Sequence, residues 1–139
     1  MPLDMDSLKR LAPVLRDETR YAPDAYQFIR KVVAETEEQI KRRGRPRKEH
    51  ITVSELLHGL RDLALDEYGP MALTVLAQWG IHTSLDVGHI VFALERHKLL
   101  GLSDEDSIAD FDGIFNLREE LTRPFDPAGN RRPDPPTVA

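Results

Sequence analysis

The chain has 139 residues, 40% hydrophobic and 31% charged, with no cysteine. That composition suits one soluble globular domain large enough to bury a core, and it excludes disulfides, thiolate zinc sites and a cysteine nucleophile. The net charge of −5 hides an asymmetry: residues 41–48, KRRGRPRK, hold six of the 19 basic residues, leaving 13 basic against 24 acidic, a net of −11. A body so charged repels nucleic acid, so any such contact is confined to this stretch.

No apolar run approaches the roughly 18–20 residues that span a bilayer. The N-terminus, MPLDMDSLKRL, is acidic where a secretory signal is positive. The expectation is a cytoplasmic protein without membrane contact.

In chain order the sequence shows no internal repeat and no alternating strand pattern. Leu8, Leu11, Ala12 and Leu15 lie at helical spacing, with Pro13 limiting the regularity, and residues 17–20 read as a connection. Pro23 suits the first turn of a helix. From there Tyr26, Phe28, Ile29, Val32, Val33 and Ile40 form an apolar stripe to about Lys41, and Gly44 and Pro46 stop it. Thr52-x-x-Glu55 is a capping box, followed by Leu56, Leu57, Leu60, Leu63 and Ala64, with Gly69 as the stop. Pro70 opens a short helix, 70–79, bearing Met71, Val75, Leu76 and Trp79, and Gly80 closes it. Thr83 or Ser84 caps the next, 85–99, with Val87, Ile90, Val91 and Leu94 facing inward. Ser103-x-x-Asp106 starts a segment with Ile108 and Phe111, and Asn116-x-x-Glu119 caps a last turn. Residues 122–139 hold five of the ten prolines among polar residues, a composition that predicts disorder.

The expected fold is all-α: a bundle of five to six short helices over residues 5–121, with a basic interhelical loop at 41–50 and a disordered tail at 122–139. Trp79, Leu60, Val91 and Phe92 are expected in its core. Gly59, Gly80 and Gly88 are expected at turns or close helix approaches.

Gly69-Pro70-x-Ala72 through Trp79-Gly80, Asp86-x-Gly88-x-Ile90-Val91-Phe92-x-Leu94, Asp106-x-x-x-Asp110-Phe111, Ala25-Tyr26-x-Phe28 and Glu55-Leu56-Leu57-x-Gly59-Leu60-Arg61 form a combined pattern over about residues 20–115. It resembles a family of small uncharacterised bacterial proteins found chiefly in Planctomycetes and Verrucomicrobia. The resemblance implies a small helical cytoplasmic protein and no particular activity. Residues 41–48 lie outside that pattern.

Catalytic and metal signatures are sparse. The histidines at 50, 58, 82, 89 and 97 never form a His-x-x-x-His pair. His82 and His89, seven apart, read as surface or hydrogen-bonded groups rather than ligands. Asp104-Glu105-Asp106 and Asp110-x-Asp112-Gly113 miss the spacing of a calcium loop and suit helix-cap duty. No phosphate loop or nucleophile elbow is present. Trp79 reads as a core residue before a ligand-stacking one. Leu99-Leu100-x-Leu102 closes the core or meets a partner. No enzyme activity, cofactor or metal is expected.

Arg43-Gly44-Arg45-Pro46 with basic flanks resembles an AT-hook. Gly44 lets the backbone approach a groove floor, and Pro46 biases Arg45 toward an extended conformation. Arg43 and Arg45 then lie along a narrow A·T-rich minor groove, where negative potential is enhanced and no guanine amino group intrudes. Lys41, Arg42, Arg47 and Lys48 pair with phosphates. The plain alternative is a solvated loop whose Gly44 and Pro46 merely end a helix. The expectation is a non-enzymatic accessory or architectural factor contacting A·T-rich DNA. The alternative is an adaptor with a protein partner or a second copy, its loop a linker or an RNA contact.

Overall fold

The computed structural model describes residues 9, 11–13, 20–44, 51–96, 108–113 and 115–125. Helix α1 (Pro23–Arg42) starts on the proline, whose missing N–H leaves nothing unpaired at a first helical position. The Ala22 N–H before it donates to the Trp79 carbonyl at 3.1 Å. Down α1 the expected stripe is buried, from Tyr26 and Phe28 to Ile40, and Thr36 joins it.

Helix α2 (Val53–Tyr68) opens on the predicted capping box: the Thr52 hydroxyl accepts the Glu55 N–H at 3.1 Å and the Glu55 carboxylate accepts the Thr52 N–H at 3.0 Å. Its Leu56, Leu57, Leu60 and Ala64 are buried, each enclosed leucine contributing about 1.5–3 kcal/mol by leaving water. Gly69 ends α2 at a φ of +53°.

The helix predicted over 70–79 is divided. A 3₁₀ turn, Gly69–Met71, is tightened by the Ala72 N–H bonding back to the Gly69 carbonyl, and leads into α3 (Ala72–Gln78). This turn points Met71 outward, 55% exposed, while Ala72 and Leu76 face the core. Helix α4 (Ser84–Arg96) is capped by Thr83, and residues 97–107, with the leucines at 99, 100 and 102, lie outside the described residues. A 3₁₀ turn, Ile108–Phe111, precedes α5 (Leu117–Thr122), where the Asn116 side chain accepts the Glu119 N–H at 3.1 Å.

Helical structure continues past the expected limit at 121, through Thr122 and a 3₁₀ turn, Arg123–Phe125. Buried Leu117 and Leu121 anchor that end, and Arg123 pairs with Glu119 at 3.2 Å and Glu120 at 3.8 Å. Of the tail expected to be disordered, residues 126–139 lie outside the described residues.

The fold is all-α, with no strand among the described residues. Helices α1 and α2 run antiparallel: Phe28 meets Tyr68, Lys31 pairs with Glu67, and Thr36 meets Gly59. Helix α4 packs on α1, while α5 packs on α2 and α3. Leu60 and Val91 are enclosed in this core, and Trp79 and Phe92 are partly buried at its rim.

A β-carbon on Gly59 would overlap the buried Thr36 hydroxyl. The expected overpacking cost, about 1–3 kcal/mol, exceeds the gain of up to about 1 kcal/mol from a better helix former. Gly59→Ala should therefore lower the urea midpoint, yet become neutral or stabilising in a Thr36→Ala background. The same sign in both backgrounds would show that the two helices do not touch there.

Candidate nucleic-acid interface

The basic stretch straddles a helix end. Lys41 and Arg42, expected in the loop, form the last turn of α1, where positive charge complements the negative end of the helix dipole. Burial of Ile40 holds the chain helical to Arg42, one residue past the expected end at about Lys41. Arg43 ends the helix, its N–H shared between the Gln39 carbonyl at 3.2 Å and the Ile40 carbonyl at 3.1 Å. Gly44 follows at a φ of +83°, its N–H on the Lys41 carbonyl at 3.0 Å.

That conformation is costly for any residue with a β-carbon. Gly44 thus has a local structural role in addition to the one its motif implies. Lys41, Arg42, Arg43 and Gly44 are all exposed, and nothing lies within 4 Å of the position a Gly44 β-carbon would take. Arg45, Pro46, Arg47 and Lys48 lie outside the described residues. The chain is described again at Ile51, which is buried. Ile40 and Ile51 thus belong to the same buried cluster.

The other candidates resolve into structure. Asp86, part of the combined pattern in the sequence, stands in the first turn of α4. It accepts the His82 N–H at 2.8 Å, the Thr83 N–H at 3.1 Å and the Tyr21 hydroxyl at 2.8 Å. Burial pushes its carboxyl up, but these donors outweigh burial and leave its pKa below the usual value. Tyr21 is pushed up to about 12, by burial first and then by the hydrogen bond to Asp86. With Thr83, whose hydroxyl accepts the Asp86 N–H at 3.3 Å, Asp86 forms a reciprocal cap on the first turn of α4.

Trp79 packs against Phe28 and Tyr68 with ring centroids 5.5 and 5.8 Å away, and Phe28 lies 6.0 Å from Tyr68. These three rings form one aromatic cluster against the core, the packing role expected of Trp79. The Tyr68 hydroxyl is buried without a partner, and burial raises its pKa. His58 directs Nδ1 to the Ser54 carbonyl at 2.7 Å, and Phe115 meets its ring edge-on. His50 and His97, like residues 104–106, lie outside the described residues. Among those described, no cluster of histidine and carboxylate side chains is arranged to hold a metal. No described helix is long and apolar enough to cross a membrane.

Comparison with protein-family models, with curated proteins and with solved structures gives no match. The functional reading therefore rests on residues and their placement.

Proposed function

We propose that this protein is a non-enzymatic accessory factor that contacts A·T-rich DNA through the basic connection between α1 and α2. The observation that supports it most is placement. Buried residues stop at Ile40 and are described again at Ile51, and Lys41, Arg42 and Arg43 between them are exposed, on a chain whose net charge outside residues 41–48 is −11. Positive charge concentrated in one stretch of an acidic chain steers a polyanion to that stretch and away from the body.

In this reading Arg43 and Arg45 enter the minor groove. Gly44 allows close approach to its floor, and Lys48 meets phosphate. One such hook on an acidic body binds modestly, and serves to reinforce a second contact.

A binding titration on A·T-rich and G·C-rich duplexes at several salt concentrations tests this. The wild type should prefer the A·T-rich duplex. Arg45→Ala or Arg43→Ala should erase the preference, whereas Lys48→Ala should weaken both duplexes alike and reduce the salt slope by about 1. Equal binding to both duplexes, or none at low salt, would leave the stretch as a solvated linker and turn attention to a protein partner.

A further inference from the structure

We draw no further inference here: the strongest candidate, the exposed apolar surface at Met71, on the turn between α2 and α3, and at Phe125, after α5, carries nothing, because nothing in the structure shows what covers either side chain.

Discussion

Replacing Phe111 by alanine is expected to cost about 3–5 kcal/mol of stability, the range for truncating a buried aromatic side chain. Phe111 is 2% exposed, and one face of α4 is shaped to receive it. Ser84, Gly88 and Phe92 stand at four-residue intervals on that face. The buried Ser84 hydroxyl donates to the Phe111 carbonyl, and the Phe92 ring meets the Phe111 ring edge-on at 6.3 Å. Gly88 supplies the space: a β-carbon there would lie 2.8–2.9 Å from three Phe111 carbons.

Unlike a flexible chain end, a ring held between backbone and neighbours cannot step aside. Gly88→Ala should therefore also destabilise, by about 1–3 kcal/mol. The two effects should not add, because with the ring gone the new methyl enters the vacated space. Urea titrations of the two single variants and the double variant measure this. A Phe111→Ala cost below about 1 kcal/mol, or strict additivity, would mean that the 108–111 turn is not seated on α4 in solution.

The second large effect belongs to Asp86. Asp86→Ala removes a helix cap, about 0.5–2 kcal/mol, and hydrogen bonds to a charged group, about 1.5–3 kcal/mol. It also leaves the buried Tyr21 hydroxyl without its acceptor, for an expected loss of about 2–4 kcal/mol. The pH dependence has a definite sign at each end. Because its folded pKa is depressed, Asp86 contributes stability above its ordinary value of 3.8, and that contribution is lost as pH falls through the lower folded value. Tyr21 is the reverse case. Its contribution is full below the ordinary value of 10.0 and is lost as pH rises from there to about 12.

Urea midpoints against pH should thus show the advantage of the wild type over Asp86→Asn shrinking in acid. Tyr21→Phe should be less sensitive than the wild type between pH 10 and 12. A difference from Asp86→Asn that stays constant down to about pH 2 would show that the carboxylate's charge is not what holds the junction.

The contrast between these two sites and the helices explains how much the sequence disclosed. Pro23, the Thr52–Glu55 box and Asn116 act within four residues of where they stand, and each marks a helix start found in the fold. The stripe from Tyr26 to Ile40 was legible because burial on one helical face imposes its own period. Asp86 was not legible, because Tyr21 is 65 residues away and nothing local to either residue names the other. Gly88 was marked as a close approach, but its partner, Phe111, is set by how the chain returns to α4. Met71 shows the limit of periodicity, since a single 3₁₀ turn changes the angle at which a side chain leaves the axis. For the candidate interface, the motif stood out from composition and charge alone. The division between Lys41–Arg42 and the residues after them emerged only when the helix end was located.

The paired isoleucines at the base of the connection separate what selection acts on. Ile40 and Ile51 are buried at this edge while Lys41, Arg42 and Arg43 beside Ile40 are exposed, so the apolar core makes no demand on those three side chains. Charge at those three positions can therefore change without disturbing the core beneath them.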